Sequence, residues 1–193
     1  AWALVSNGLF PIDYVPDEET SNTTQNWSTV AAEVTHMRNN PHAPAFIKWS
    51  EAIQDPSKEK HIKWGKIKTV DRAIEKLLRS YKTDVSRLLD VCRQSIVFDA
   101  ATDIAKCLEL IAKDADVEVL AIKNRFDPDY DAKSLSLGYR DVNLNLRFIT
   151  PACRRLGIHL HICEVQLLCK EFAQLKNDAG HKRYVAFRNA RGK

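Results

Sequence analysis

The sequence has no apolar run that approaches the roughly 20 residues needed for a membrane-spanning helix. Its first ten residues, AWALVSNGLF, lack the basic start and the longer apolar segment of a signal peptide. Hydrophobic residues make up 45% and charged residues 28% of the chain, as in ordinary globular proteins. These features argue against a membrane protein, and 193 residues favour one soluble domain with its own core.

Cysteine is scarce, and no two cysteines form a CxxC pair. The cysteines are Cys92, Cys107, Cys153, Cys163 and Cys169. An odd number without paired spacing argues against a disulfide framework and favours reduced thiols in a cytoplasmic compartment. A zinc site is not expected, because no ligand pair has the usual spacing.

No charge of one sign dominates residues 1–175, which carry 23 basic and 24 acidic groups. The net charge of +4 comes from residues 176–193, where six Lys or Arg accompany a single Asp. Such a basic segment favours a ligand that carries phosphates, either a nucleotide or a nucleic acid. The alternative is a terminal helix whose charges are solvated.

Residues 1–60 are weakly patterned, and we expect them to form an N-terminal arm with short helices. Turn formers and two prolines predict a loop over residues 9–28, while residues 26–40 and 44–53 are expected to be helical. Residues 61–193 form the second region, expected to make one compact unit with the first. The chain lacks an initial Met, so we expect a fragment of a longer protein.

Two amphipathic helices follow. The first begins near Thr69 and has an apolar stripe and a roughly opposite basic stripe. The apolar stripe contains Val70, Ile74, Leu77 and Tyr81. The basic stripe contains Lys68, Arg72, Lys76 and Arg79. The second covers residues 99–114, with Ile104, Leu108 and Ile111 directed inward.

Strand patterns interleave with these helices. They are VCRQSIVF, VEVLAIKNRF, YRDVNLNLRF and HLHICEVQLL. Residues 127–138 are expected to be a polar loop, and residues 170–190 mostly helix with a break at Gly180. This order predicts an α/β (α+β) fold, with a mixed β-sheet of four to five strands flanked by helices.

One strand pattern alternates almost without fault. Its apolar residues are Val142, Leu144, Leu146 and Phe148, and its polar residues are Tyr139, Asp141, Asn143, Asn145 and Arg147. A strand of period two places these sets on opposite faces of a sheet. The polar row is expected to line a ligand pocket at Tyr139 and Asp141. The alternative for Asn143, Asn145 and Arg147 is a solvated sheet face.

Two carboxylates accompany the predicted strands. Asp90 begins one strand, and Glu164 lies inside another among apolar neighbours, where a charge is costly unless it is paired or holds a metal. Two such groups on neighbouring strands suit a magnesium-dependent phosphoryl transfer, with Lys and Arg to neutralise the phosphates. The alternatives are an outward-facing or ion-paired Glu164 and a turn residue at Asp90.

Six segments in order resemble the motifs of the RelA/SpoT-like alarmone synthetase domain, over roughly Lys66 to Tyr184. They are KIKTVDRAIEKL, LLDVCRQSIVF, VLAIKNRF, LGYRDVNLNL, EVQLLCKEFAQL and GHKRYV. The resemblance implies a nucleotidyltransferase-like fold. It also implies Mg²⁺-dependent transfer of pyrophosphate from ATP to the 3′-hydroxyl of GDP or GTP.

The resemblance also implies residue roles. Asp90 would hold the metal, Glu164 would assist the metal or activate the hydroxyl, and Tyr139 would stack on the acceptor base. The expected phosphate contacts are Lys66, Lys68, Arg72, Lys76, Lys123, Arg125, His181 and Arg183.

The sequence departs from the family pattern at several positions. Ser95 and Leu168 stand where the family has arginines, and Arg93 stands in place of a glycine. The family's Lys-Asp-Tyr is Lys123-Asn124-Arg125 here, and Asn143 replaces a histidine. Arg93 and Arg125 are candidates to compensate. Two alternatives therefore remain: the same chemistry on the 3′ end of tRNA, or a catalytically inactive module that binds a nucleotide or a partner.

Overall fold

A six-stranded mixed sheet forms the centre of the protein in the computed structural model, which describes residues 1–12, 45–174 and 186–187. The strands are β1 (Leu9–Ile12), β2 (Ala45–Lys48), β3 (Cys92–Phe98), β4 (Val117–Asn124), β5 (Val142–Phe148) and β6 (Cys163–Cys169). Their spatial order is β2-β1-β3-β6-β5-β4. Only β3 and β6 pair in parallel among these strands; the other neighbours are antiparallel.

Two of the helices are long and the others are short. The helices are α1 (Trp2–Val5), α2 (Trp49–Ala52), α3 (Pro56–Glu59), α4 (Val70–Ser80), α5 (Ala101–Lys113), α6 (Ala132–Ser136), α7 (Pro151–Arg155) and α8 (Lys170–Gln174). A single 3₁₀ turn follows α4 at Val85–Arg87. None of the helices within the described ranges is long and apolar enough to cross a membrane.

The mixed α/β architecture is confirmed, but the sheet has six strands rather than four or five. The extra strands are β1, predicted as loop, and β2, which lies in a segment predicted as helix. Each has only four residues, too few to show a period, and β1 contains Pro11, a residue that usually argues against a strand. β1 pairs with β3 only at Leu9, so Pro11 lies beyond the part that is paired on both sides.

The main core lies between one face of the sheet and helix α5. Ile104, Cys107 and Ile111 are buried on α5, which contacts β3, β4, β6 and α1. The alternation predicted for β5 is confirmed, since Val142, Leu144 and Leu146 are buried in this core. Phe148, at the end of β5, is 37% exposed and stacks on Trp2.

The first twelve residues are part of this domain. The Trp2 indole donates a hydrogen bond to Asp114, just after α5, and Phe10 packs in the main core. The boundary expected at residue 60 therefore separates regions that share one sheet. The helix predicted over residues 26–40 and the break at Gly180 lie outside the described residues.

A smaller apolar cluster covers part of the opposite face of the sheet. It contains Leu9, Val97, Leu168 and Ala173, with α8 packed against β3 and β6. The segment predicted as a polar loop contains helix α6, capped by Asp131 and ended by Leu137 in the left-handed conformation. Next to it Gly138 has φ +83°, a backbone conformation that favours glycine.

Candidate functional site

The opposite face of the sheet carries polar side chains where the smaller apolar cluster ends. We call this surface the polar face: Arg93, Ser95, Lys123, Asn143, Asn145, Glu164 and Gln166. Register places them side by side, because Glu164 is the partner of both Arg93 and Asn145, and Gln166 is the partner of both Ser95 and Asn143. Lys123 on β4 extends the row as the partner of Asn143. The polar row predicted for β5 therefore belongs to a surface that spans four strands.

A short hydrogen-bond chain holds Glu164. The Ser95 hydroxyl donates to Gln166 Oε1 at 3.3 Å, and Gln166 Nε2 donates to Glu164 Oε1 at 2.7 Å. Glu164 is half-buried. The Gln166 amide therefore fixes one oxygen of the carboxylate.

Tyr139 lies at one end of the polar face and is half-buried. Its ring packs against the smaller apolar cluster and meets Phe172 edge to face, with the centroids 6.0 Å apart. The ring therefore avoids the main core that holds Val142 and Leu144, as predicted. Burial and the nearby carboxylates of Asp141 and Glu164 raise the pKa of the phenol well above its ordinary value, so the hydroxyl stays protonated.

Asp141 is buried and positions its neighbours. It accepts a hydrogen bond from the Tyr139 hydroxyl at 3.0 Å and forms a close ion pair with Arg125. Burial opposes the charge of Arg125, but Asp141 outweighs it and raises the guanidinium pKa. Asp141 was predicted to face a ligand pocket. It does not, because the residue is only 1% exposed. Arg125 is committed to this pair, which sequence reasoning missed because Arg125 follows β4 and Asp141, 16 residues later, precedes β5.

A second cluster forms around Asp90, just before β3. Lys68 Nζ and Lys76 Nζ lie 2.9 and 2.8 Å from the same oxygen, Asp90 Oδ2. Lys68 is held by a backbone bond from its N–H to Val91, and Thr69 caps α4 so that Lys76 lies two turns further on. Burial works against ionisation of Asp90, but the two lysines outweigh it and lower its pKa.

The remaining predicted phosphate ligands are dispersed. Arg72 is exposed and pairs with Glu75 on its own helix, while Lys66 is exposed in the segment before α4. Lys123 belongs to the polar face and lies 6.0 Å from the ring centre of Tyr130. His181 and Arg183 lie outside the described residues. The structure thus brings Lys68 and Lys76 to Asp90 but leaves Arg72 in a surface pair.

Leu168 and Ser95, which stand where the resembled family has arginines, lie in different environments. Leu168 is fully buried in the smaller apolar cluster, so no polar contact is made there. Ser95 is on the polar face, and Arg93 stands two residues before it on the same side of β3. Arg93 is exposed, which leaves a guanidinium at this surface close to the position that lost one.

The two predicted metal ligands come from the same end of adjacent strands. Asp90 precedes β3 by two residues, Glu164 is the second residue of β6, and these strands run parallel in register. Asp90 Oδ1 is buried and accepts no hydrogen bond from any described residue. A buried carboxylate oxygen that lacks a partner suits a hard cation. Asp90 Oδ1 would therefore suit a magnesium ion as a ligand, and that Asp90 and Glu164 share one ion stays a prediction.

No protein-family model and no curated protein matches the chain. Similar solved structures include small alarmone synthetase 1 from Bacillus subtilis bound to its product pppGpp, with 16% identity and a TM-score of 0.48 over 80% of this chain and 76% of that one. Small alarmone synthetase 2 from Bacillus subtilis has 14% identity and a TM-score of 0.47, over 83% and 78% of the two chains. A GTP pyrophosphokinase family protein from Streptococcus pneumoniae has 12% identity and a TM-score of 0.46, over 84% and 83%. These likenesses assign neither a family nor an activity to this chain.

Proposed function

We propose that this chain transfers pyrophosphate from ATP to the 3′-hydroxyl of a purine nucleotide, with Mg²⁺. The observation that carries the proposal is the cluster at the start of β3, where Lys68 and Lys76 converge on Asp90. Together with Glu164 on the neighbouring strand, it combines carboxylates for a metal with cations for phosphates. That combination matches what a phosphoryl transfer needs.

The reaction balances without a further reactant. The acceptor 3′-oxygen attacks the β-phosphorus of ATP, the bond from that phosphorus to the α–β bridging oxygen breaks, and AMP leaves. The hydroxyl proton passes to a base, and Glu164 is the group that we assign to it. Gln166 donates to one Glu164 oxygen at 2.7 Å and so orients the other oxygen for the proton.

Magnesium, held by Asp90 and Glu164, would offset the negative charge of the triphosphate and polarise the reacting phosphorus. Lys68 and Lys76 supply two positive charges at the same place, and Asp90 keeps both ammonium groups oriented. Lys123 and Arg93 add charge across the polar face. These cations hold the phosphates in position, which is the main protein contribution in such reactions.

Tyr139 is assigned to the acceptor base. Its hydroxyl is bonded to Asp141 and its edge meets Phe172, so the ring has a fixed orientation. A fixed aromatic ring can stack on any base, which contributes roughly 1–3 kcal/mol by alanine substitution. The ring would therefore accept any base and would not select one acceptor nucleotide over another.

The test is transfer of label from ATP labelled on its γ-phosphate, with magnesium and one acceptor at a time. GDP, GTP, ADP and tRNA are the acceptors. Label on a mononucleotide, together with one AMP per transfer, supports the proposal. Label on tRNA alone assigns the same chemistry to the alternative acceptor, and no label on any of the four contradicts catalysis.

An inactive nucleotide-binding module is the second candidate. Leu168 and Ser95 favour it, since the two family guanidiniums are absent and Leu168 is fully buried among apolar residues. Such a module would bind ATP with magnesium in a calorimeter but transfer no label. Measuring binding alongside transfer separates the two candidates.

A further inference from the structure

Three soft ligand groups meet where β3 and β6 begin. The sulfur atoms of Cys92 and Cys163 and a ring nitrogen of His161 all lie within 4.8 Å of one another. Cys92 and Cys163 are direct partners in the parallel pair, so strand register itself brings them together. This cluster lies on the sheet face opposite Glu164, because Cys163 and Glu164 are consecutive in a strand.

A fourth thiol is close to this cluster. Cys153 in α7 accepts a backbone hydrogen bond from Ile158 at 3.0 Å, and Ile158 in turn accepts one from His161 at 3.0 Å. The loop after α7 therefore folds back toward β6.

We propose that Cys92, His161 and Cys163 bind Zn²⁺, with the fourth position taken by water or by Cys153. Thiolate sulfur and imidazole nitrogen are the common ligands of tetrahedral zinc sites. With zinc–sulfur bonds of about 2.3 Å, the ligand atoms of such a site are about 3.7 Å apart.

The three ligands come from two segments that are far apart in the sequence, so the usual spacing rule could not find them. Cys92 is 71 residues before Cys163, and only the pairing of β3 with β6 makes them neighbours. His161 and Cys163 are separated by one residue, which is too close for the ligand pairs that sequence patterns describe. The expectation of no zinc site was therefore based on local spacing alone.

A metal at this point would fix the spacing of two strand starts. Cys92 is two residues after Asp90, and Cys163 immediately precedes Glu164. The zinc would thus lie on the sheet face opposite Glu164 and hold β3 and β6 in register. Its binding does not depend on that function, since it uses none of the same side chains.

The test measures the metal itself in the full chain. Protein purified under reducing conditions, stripped with a chelator and titrated with Zn²⁺ against a coloured zinc indicator should bind one equivalent. Cys92→Ser and Cys163→Ser should lose stoichiometric binding. Cys169→Ser is the matched control, because Cys169 ends the same strand away from the cluster and should leave binding unchanged. Equal binding by Cys163→Ser and Cys169→Ser would overturn the proposal.

Two further measurements test the proposal if a cysteine variant fails to fold. Co²⁺ added to the stripped wild-type chain should give the intense absorption of tetrahedral thiolate ligation, and His161→Gln, at an exposed residue, should weaken Zn²⁺ binding at least tenfold. Cys153→Ser identifies the fourth ligand: weaker binding assigns that position to Cys153, and unchanged affinity assigns it to water. A stripped wild-type chain that binds neither metal, with Cys92 and Cys163 joined in a disulfide, would contradict the site.

Discussion

Helices α4 and α5 both show an amphipathic pattern in the sequence, but only α5 buries its apolar stripe. On α5 the apolar residues Ile104 and Ile111 are buried in the main core. On α4 no residue is buried: Val70 is 72% exposed and Ile74 is 49% exposed. The side chains of its region that turn inward are basic, with Lys68 only 11% exposed beside Asp90. Periodicity identifies a helix, but it does not decide which stripe contacts the protein.

The two helices should differ most in how much an apolar side chain contributes to the free energy of unfolding. Ile111→Ala removes a fully buried side chain from α5 and should lower the free energy of unfolding by about 2–5 kcal/mol. Ile74→Ala on α4 should change it by less than about 0.5 kcal/mol, because the side chain is half exposed. Urea unfolding measures both. Similar losses for the two variants would mean that the apolar stripe of α4 is covered in solution.

Asp90→Asn should be the most destabilising change in the α4 region. It leaves Lys68 and Lys76 without their shared carboxylate, at a cost of about 2 kcal/mol at pH 7. The native-state pKa of Asp90 is lowered below 3.8, so its contribution is present above that pH and is lost as pH falls through the native pKa. The stability gap between the variant and the wild type should therefore narrow in acid. A gap that is constant from pH 7 to pH 2 would contradict the pairing.

Lys68→Ala and Lys76→Ala should each weaken ATP binding about tenfold, which corresponds to about 1.4 kcal/mol. Lys106→Ala is the matched control on α5, where Lys106 pairs with Asp103 at the surface, and it should leave affinity unchanged. Arg72→Ala should have a smaller effect than the two lysines, because Arg72 pairs with Glu75. Calorimetric titration of ATP decides the order, and equal effects of Lys76→Ala and Lys106→Ala would refute the assignment.

Tyr139 allows packing and ligand contact to be separated within one side chain. Tyr139→Ala should weaken acceptor binding about tenfold, whereas Tyr139→Phe should bind nearly as well, because stacking needs only the ring. Tyr139→Phe should nevertheless unfold more easily by about 1 kcal/mol, since buried Asp141 loses a hydrogen-bond donor. Paired affinity and melting measurements test both, and intact affinity in the Ala variant would exclude the ring from the site.

The sequence predicted the strands that are long enough to show a period. β3, β4, β5 and β6 and both long helices lie where the patterns place them, and the alternation of β5 identified its buried residues. β1 and β2 escaped prediction because four residues show no period and Pro11 argued against a strand. Their positions depend on pairing with distant segments.

Residues of the candidate site could be named from the sequence, but their contacts with one another could not. Asp90, Lys68 and Lys76 were named from their types and spacing, and the structure brings them into contact. The pairing of Arg125 with Asp141 and the bond from Gln166 to Glu164 depend on strand register and side-chain orientation. The same limit applies to Cys92 and Cys163, which become neighbours only in the folded sheet.

The most direct test of the central claim compares label transfer by the wild type and by Glu164→Gln. Glutamine has nearly the same size as glutamate. Because Glu164 is only half-buried and is bonded to Gln166 at the surface of the sheet, the variant should remain folded. The control is Glu109→Gln, at a residue on the exposed side of α5. The account predicts that Glu164→Gln loses transfer at least about 100-fold, as expected for the removal of a general base, while Glu109→Gln transfers like the wild type. Equal transfer by all three proteins would contradict it.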